Sequence, residues 1–304
     1  MQIPSSFVLS PEVSRAIQMK KPIVALESAV ITHGLPYPIN IEIAMQMEKE
    51  ARDQGVTPAT VAVIDGSVHV GLQQGEIDSL ASKQEVHKIS ARDFSTAIVN
   101  QWSGGTTVAG TILAASKCEI KVLATGGIGG VHRQPAYDIS ADLPQFSRTA
   151  MIVVCAGAKA ILDLDATLEY LETHSIPVVG FQTDEFPAFY SRSSGLSTSA
   201  SAQTAEEICR IALNHWSLGL SSSILVVNPP PVESALPTHL VEAAVEQALE
   251  ECSRQNIRGQ KVTPFLLNRV SEITTGASMK ANLDLLINNA RLATRIASSL
   301  SCCN

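Results

Sequence analysis

Two charged residues follow apolar, β-branched runs of the chain, and both are of types that do covalent or acid–base chemistry. Lys159 follows the run 151–156 and precedes leucines at helical spacing, which predicts a buried strand and then a helix over 160–173. At a helix start the helix dipole opposes a positive charge and favours the neutral amine, which is a nucleophile. The alternative is an ordinary solvated lysine.

Glu27 ends another apolar run, "PIVALES" (22–28). A carboxylate that enters a buried sheet edge must be paired, protonated or functional, so an ion pair with a structural Lys or Arg is an open alternative to a catalytic role. Ligands of open α/β sheets bind at the carboxyl ends of the strands. The pattern therefore predicts that Glu27 and Lys159 lie at strand ends of the same kind.

Glycines and aspartates follow a third apolar run. The stretch "ATGGIGGVHR" (124–133) offers four glycines whose N–H groups can approach a phosphate, but His132 stands where a dinucleotide fingerprint needs glycine, and a tight turn is the alternative. In "YDISADL", Asp138 and Asp142 lie four residues apart beside Ser140. Such oxygen ligands suit Mg²⁺ or Mn²⁺, and helix capping is the alternative. His132 is either a ligand or a structural hydrogen-bonding residue.

Three further positions are candidates for ligand contacts. Lys88, in "EVHKISARDF", offers a charge to a phosphate unless it is merely solvated. The stretch "SGGTTVAGT" (103–111) predicts a helix that begins at one of its two threonines, and a helix start favours an anion. Asn288 and Asn289 place two amides in a strongly helical pattern, where they either cap or hydrogen-bond a ligand.

The elements that position these residues alternate along the chain. Apolar runs typical of strands lie at 22–28, 60–66, 120–127, 151–157, 176–182 and 223–229. Helical patterns lie at 40–54, 106–117, 160–173, 203–219 and 237–256. This alternation predicts an α/β fold, with a largely parallel central sheet flanked by helices on both faces (α/β/α).

Composition narrows the function classes. The 304 residues are 45% hydrophobic and 17% charged, which is typical of a globular chain that folds as one large domain or two smaller ones, and of these we expect a single domain over 1–304. The formal net charge of −7 argues against nucleic acid or an anionic membrane surface as the main partner. Six scattered cysteines without a CxxC pair fit a reducing cytosol. The sequence predicts neither a signal peptide nor a membrane span, so we expect a cytoplasmic protein.

Several long blocks, taken in order, resemble the pseudouridine-5'-phosphate glycosidase family, also called the indigoidine synthase A-like family. They are "ALESAVITHGLPYP", "PATVAVIDG", "ATGGIGGVHR", "DISADL", "CAGAKAILDLDATLEYLET" and "TPFLLNRVSEIT", and the resemblance runs from about residue 9 to about residue 299. It implies reversible cleavage of pseudouridine 5'-phosphate to uracil and ribose 5-phosphate. It also implies a divalent metal, usually Mn²⁺, and a homotrimer.

The resemblance also implies roles for individual residues. Lys159 would be the covalent nucleophile: its amine attacks ribose C1', the sugar ring opens, and an iminium takes up electrons when the C1'–C5 bond breaks. Glu27 would be the acid that handles protons at the sugar ring or uracil, and Asp138 would be the metal ligand. The implied substrate contacts are Lys88, Val108, Ser140, Ala141 and Asp142, with Lys88 and Ser140 at the phosphate, and His132 and Asn289 as pocket residues.

The chain departs from the family pattern at two places. It has "ESAVITHG" (27–34) where the family commonly reads ESTIISHG, and "SGGTTV" (103–108) where the family reads NGATTV. The hydroxyl lost at Ala29 and the amide lost at Ser103 are expected to alter substrate affinity. Two other functions stay open: another Schiff-base lyase or synthase acting on a sugar phosphate, and a non-catalytic binding protein of a pigment pathway.

Overall fold

A computed structural model describes residues 3–83, 85–133, 137–259 and 262–303 of the chain. The strands are β1 (Phe7–Leu9), β2 (Ile23–Leu26), β3 (Thr57–Ile64), β4 (Ser67–Val70), β5 (His87–Ile89), β6 (Gly104–Thr106), β7 (Val122–Ala124), β8 (Val131–His132), β9 (Ile152–Cys155), β10 (Leu162–Asp163), β11 (Val178–Phe181), β12 (Ala200–Ala202) and β13 (Ile224–Val227).

The helices connect these strands and complete the last part of the chain. They are α1 (Pro11–Gln18), α2 (Ile39–Asp53), α3 (Gln74–Ser82), α4 (Phe94–Val99), α5 (Val108–Lys117), α6 (Asp142–Phe146), α7 (Leu164–Thr173), α8 (Ala205–Ser217), α9 (Thr238–Arg254), α10 (Val262–Ile273) and α11 (Ala277–Cys303). A π-helical turn (Val30–Gly34) follows β2, and a 3-10 turn (Ala91–Asp93) follows β5.

The main sheet has the strand order β1-β4-β3-β2-β7-β9-β13-β11-β12. From β3 to β12 every neighbouring pair in this order is parallel, whereas β3 pairs antiparallel with β4 and with β6. All residues of β9 and β13 are buried, which requires cover on both faces and explains their apolar, β-branched sequences. The predicted α/β fold with a largely parallel sheet is confirmed.

Helices pack around this sheet in the way the apolar stripes predict. The long helix α11 packs on β2, β7 and β9, with α2 and α8 beside it, and α5 packs on β2 and β3. Within the described ranges, no helix combines the length and apolar character that crossing a membrane requires.

The chain around Lys159 differs from the prediction. Helix α7 begins at Leu164 rather than at 160, because residues 162–163 form the short strand β10, which pairs antiparallel with β8. Asp163 caps α7 instead, since its Oδ1 accepts a hydrogen bond from the Ala166 N–H at 3.0 Å. Lys159 thus lies in a turn ahead of the helix, and the expectation that it faces the helix dipole is wrong.

Candidate active site

A pocket of about 380 Å³ opens where β2, β7 and β9 end. The predicted site residues that line it are Glu27, Lys88, Val108, His132, Asp138, Ser140, Ala141, Asp142 and Lys159. These residues come from segments far apart in the sequence. Glu27 and Lys159 follow β2 and β9, two parallel strands whose carboxyl ends lie at the same edge of the sheet, whereas Lys88 lies on β5, outside the run of parallel strands.

Glu27 follows β2 directly and is half-buried. Its Oε2 accepts a hydrogen bond from the Val30 N–H at 3.0 Å, and its Oε1 lies 3.5 Å from the Thr125 hydroxyl. Burial raises the pKa of Glu27, against the opposing effects of the Lys159 charge and the Val30 N–H. Because a raised pKa increases the protonated fraction near neutral pH, Glu27 is suited to donate a proton.

Lys159 lies four residues after β9 and is half-buried. Its backbone N–H donates to the carbonyl oxygen of Ile128 at 3.1 Å, which connects the turn to the glycine-rich loop after β7. The turn needs glycine at Gly157, where φ is +86° and an added Cβ would lie 2.2 Å from the Pro187 carbonyl oxygen. The Lys159 charge reaches Glu27 and partly opposes the rise that burial causes in the pKa of that carboxyl.

The pocket has a cationic end. Lys88, on β5, is half-buried, and the exposed Arg92 also lines the pocket, where its Nε lies 3.4 Å from Oδ1 of the lining residue Asp93. Burial and the Lys159 charge lower the pKa of Lys88, while the Asp142 and Glu27 carboxylates act in the opposite direction. Helix α5 begins at the same end, capped by Thr107, whose hydroxyl accepts from the Gly110 N–H at 3.3 Å. This end fits a dianion such as a phosphate monoester.

Asp142 joins two loops of the site. Its Oδ1 accepts from the Ala109 N–H in the first turn of α5 at 2.8 Å, and its Oδ2 accepts from the Gly129 N–H at 2.9 Å. The Gly129 amide is therefore not free for a phosphate, and glycine is needed there because a Cβ would lie 2.1 Å from the Ser140 hydroxyl. At this position the observation agrees with the tight-turn alternative and not with a phosphate contact.

Asp138 is the exposed carboxylate of the pocket. Within the ranges described above, no group of three His, Cys, Asp or Glu side chains has an arrangement that holds a metal ion. Asp142 has both oxygens engaged by backbone N–H groups, so the predicted pairing of the two aspartates does not form. A single carboxylate fits an ion such as Mg²⁺ or Mn²⁺, which keeps several water ligands.

His132 lies beside Asp138, and its backbone N–H donates to the Asp138 carbonyl oxygen at 2.9 Å. Burial and the charges of Lys159 and Lys88 lower the pKa of His132, although the Asp138 carboxylate acts in the opposite direction. The imidazole is thus favoured in its neutral form in the pocket.

Asn289 does not line the pocket. Its side chain is fully buried in α11, and its amide nitrogen donates to the carbonyl oxygens of Thr125 and Gly126 at 2.9 and 3.2 Å. The expectation of a pocket position is therefore wrong. Asn282, two turns earlier on the same helix, lines the pocket instead and is 7% exposed.

Sequence reasoning missed Asn282 and His33. Across the described parts of the chain the Asn282 amide has no hydrogen-bond partner, so it is available to a ligand. His33 lines the pocket with its Nδ1 2.7 Å from the Thr32 hydroxyl, and burial and the Lys88 charge lower its pKa. The signal for Asn282 was an amide in the helical segment "KANLDLL"; His33 stood within the quoted block "ESAVITHG".

The two departures from the family pattern differ in position. Ala29 lines the pocket, so the loss of a hydroxyl there changes the pocket wall. Ser103 is not among the lining residues, and its hydroxyl donates to Asp65 Oδ1 and accepts from the Asp65 N–H, both at 2.9 Å. Any effect of Ser103 on substrate affinity would therefore be indirect, because Ser103 does not line the pocket.

The pocket lining also includes apolar side chains, among them Val30, Phe189, Leu267 and Leu286. A flat ring with a few polar atoms fits such a lining, with the Asn282 amide as its hydrogen-bonding group.

A family model described as "Indigoidine synthase A like protein" matches residues 12–299. The chain belongs to this family. Its relatives include pseudouridine-5'-phosphate glycosidases of Geobacillus kaustophilus, 48% identical over 97% of this chain and 98% of that protein, and of Escherichia coli, 46% identical over 97% and 95%.

Two solved structures of the family have the same fold. The prealnumycin C-glycosynthase AlnA, in complex with ribulose 5-phosphate, superposes with a TM-score of 0.91 at 37% identity, covering 99% of this chain and 98% of that chain. An indigoidine synthase A-like protein from Thermotoga maritima superposes with a TM-score of 0.90 at 32% identity, covering 99% of both chains.

Proposed function

We propose that this chain is a pseudouridine-5'-phosphate glycosidase, which reversibly cleaves the C-glycosidic bond of pseudouridine 5'-phosphate to give uracil and ribose 5-phosphate. The observation that carries the proposal is the placement of Glu27 and Lys159 in one pocket that also holds Lys88. The relatives named as this enzyme are 44–49% identical over nearly their whole length.

The chemical difficulty is that the leaving atom is carbon. Ordinary glycosidases protonate a leaving oxygen or nitrogen, and C5 of uracil offers no such lone pair. In the proposed first step the Lys159 amine forms a bond to C1' and the C1'–O4' bond breaks, with its electron pair staying on O4'. O4' takes up a proton, and the amine nitrogen, which the new bond leaves cationic, loses one and so regains a lone pair. Glu27, with its raised pKa, supplies protons at the sugar ring or at the base.

In the second step the lysine nitrogen provides the electrons. Its lone pair forms a C1'=N iminium while the C1'–C5 bond breaks, and that bond's electron pair stays on C5, which takes a proton. Water then adds to the iminium, releases ribose 5-phosphate and returns the Lys159 amine. Lys88 binds the phosphate throughout, the exposed Arg92 attracts it over a longer distance, and the Asn282 amide hydrogen-bonds the base.

Further parts of the proposal concern binding and assembly. Asp138 would hold Mn²⁺ or another divalent cation, which supplies positive charge to substrate oxygens when it is bound. Ser140 and Val108 would contact the sugar phosphate from the same side of the pocket. We also propose that the chain works as one domain, in a cytoplasmic homotrimer.

Incubation with pseudouridine 5'-phosphate and Mn²⁺ tests this function. We expect uracil release by the wild-type chain and a loss of at least about a thousandfold in Lys159→Ala, since the nucleophile is removed. Lys121→Ala is the matched control, because Lys121 is exposed and outside the pocket. Equal uracil release by wild type and Lys159→Ala would contradict the proposal.

A second candidate is a C-glycosynthase that joins a pentose phosphate to another aromatic carbon. The structural similarity to the prealnumycin C-glycosynthase favours it. Both functions predict that borohydride traps ribose 5-phosphate on Lys159, whereas a non-catalytic binding protein leaves the chain unmodified. Turnover of pseudouridine 5'-phosphate separates the glycosidase from a synthase that uses a different aromatic partner.

A further inference from the structure

Asn289 is a fully buried amide in the middle of α11, beneath the pocket. Its Oδ1 accepts from the Asn228 side-chain amide at 3.1 Å, and its Nδ2 donates to the Thr125 and Gly126 carbonyl oxygens at 2.9 and 3.2 Å. A buried amide costs free energy unless it is hydrogen-bonded, and asparagine is a poor helix former. These three hydrogen bonds offset that cost, and they identify Asn228, Thr125 and Gly126 as the residues that Asn289 holds in place.

The two carbonyl groups belong to the segment 125–128, where the chain leaves β7. This segment contacts both residues that are proposed to react. At its start the Thr125 hydroxyl lies 3.5 Å from Glu27 Oε1. At its end Ile128 donates its N–H to the Gly157 carbonyl oxygen at 3.0 Å and accepts from the Lys159 N–H at 3.1 Å.

Asn228 attaches this arrangement to a third strand end. It follows β13, and its backbone N–H donates to the Cys155 carbonyl oxygen at the end of β9 at 2.8 Å. The Asn228–Asn289 pair thus connects the ends of β7, β9 and β13 below the pocket. Neither side chain is among the residues that line the pocket, so neither can act by contact with a ligand in it.

We propose that Asn289, supported by Asn228, is a positioning residue that fixes segment 125–128 and thereby the distance between the Glu27 carboxyl group and the Lys159 amine. This inference rests on the proposed function and deepens it. Because both reacting groups depend on the same segment, loosening it affects the chemical step, while the cationic end at Lys88 and Arg92 keeps its geometry.

The test compares Asn289→Leu with Asn288→Leu in the full chain. Asn288 is the matched control, since it lies one residue away on the same helix and its amide donates to the Pro229 carbonyl oxygen at 3.2 Å rather than to segment 125–128. For Asn289→Leu we expect kcat to fall on the order of 10- to 100-fold with KM changed by less than about threefold. For Asn288→Leu we expect neither constant to change by more than about threefold.

Hydrogen exchange gives a readout that does not depend on catalysis. Faster exchange of the amides in segment 125–128 is expected in Asn289→Leu and not in Asn288→Leu. If the wild-type chain cleaves no pseudouridine 5'-phosphate, the proposed function fails, and the exchange result alone still decides whether Asn289 fixes the segment.

Two results would overturn the inference. One is an Asn289→Leu variant with wild-type kcat and wild-type exchange in segment 125–128. The other is a pair of variants, Asn289→Leu and Asn288→Leu, that lose the same kcat. Should Asn289→Leu fail to fold, Asn228→Ala decides: a lower kcat at constant KM supports the inference, and an unchanged kcat overturns it.

Discussion

The floor and the rim of the pocket are built differently. The floor, defined by Glu27, Thr125 and Lys159, lies at the ends of three adjacent strands and is tied by backbone hydrogen bonds. The rim, defined by Arg92 and Asp138, is exposed, and the Arg92 side chain is 78% exposed. Reacting groups need fixed geometry, whereas binding groups tolerate motion. Substitutions in the floor should therefore change kcat, and substitutions in the rim should change affinity.

After the removal of the nucleophile in Lys159→Ala, the largest expected effect comes from Glu27→Gln in the floor. Removing the proton donor should lower kcat by about 10²- to 10⁴-fold. The melting temperature should rise at neutral pH, because burial raises the pKa of Glu27 and the folded chain therefore disfavours its charged form.

Uracil-release kinetics and calorimetry check both effects. Glu48→Gln is the matched control, since burial also raises the pKa of Glu48 but its carboxylate bonds Thr60 and Arg52 away from the pocket. An unchanged kcat in Glu27→Gln would place the acid elsewhere.

Lys88 shares one property with each region, which makes it a sharper test of the comparison. It is half-buried, as the floor residues are, but its proposed role is to bind the phosphate, as the rim residues bind ligands. We expect Lys88→Ala to raise KM about 10- to 100-fold through loss of a charge-assisted contact. Since burial lowers the pKa of Lys88, the wild-type KM should rise as the pH climbs through a value below the ordinary 10.5.

Lys88→Arg tests the sign of this pH effect. The guanidinium stays charged, so its KM should remain flat over the same pH range. A KM that rises equally with pH in both proteins would show that another group titrates.

On the rim, Asp138→Asn should weaken the binding of the metal ion. We expect the Mn²⁺ concentration for half-maximal activity to rise at least about tenfold, because the amide is a weaker ligand than the carboxylate. Titration of chelator-treated enzyme with Mn²⁺ measures this, with the exposed Asp165→Asn as control. An identical Mn²⁺ titration for Asp138→Asn would exclude Asp138 as the ligand.

The smallest effect is expected for Arg92→Gln. Its exposed charge should attract the phosphate over a distance, so kcat/KM should fall about two- to fivefold at low ionic strength and approach the wild-type value in salt. Stopped-flow or steady-state measurements from low to high salt, with Arg148→Gln as control, check this. A salt-independent loss would instead indicate a close contact.

Much of the fold was predictable because buried parallel strands have a distinctive sequence. The run predicted at 151–157 contains β9 (Ile152–Cys155), and that at 223–229 contains β13 (Ile224–Val227), since cover on both faces demands unbroken apolar residues. The start of α7 was not predictable in the same way. It depends on the pairing of β10 with β8, thirty residues earlier in the chain, which no local pattern reveals.

The candidate site shows the same division between local and long-range information. The residues expected at strand ends, Glu27 and Lys159, were found in one pocket. The resemblance implied a pocket position for Asn289, but the pocket lining includes Asn282 instead, seven residues earlier on the same face of α11. Which of the two amides reaches the pocket depends on the position of α11 along its own axis relative to the sheet. The tertiary packing sets that position.

Asp142 has a consequence for how the protein meets anions in solution. Its carboxylate already accepts from the Ala109 N–H in the first turn of α5 and from the Gly129 N–H, so a covalently attached anion occupies these two groups at any substrate concentration. Inorganic phosphate or sulfate therefore has to be held by other groups of the pocket, such as the Lys88 amine and the Arg92 guanidinium. The chain thereby carries its own permanent ligand for two N–H groups that would otherwise attract free anions.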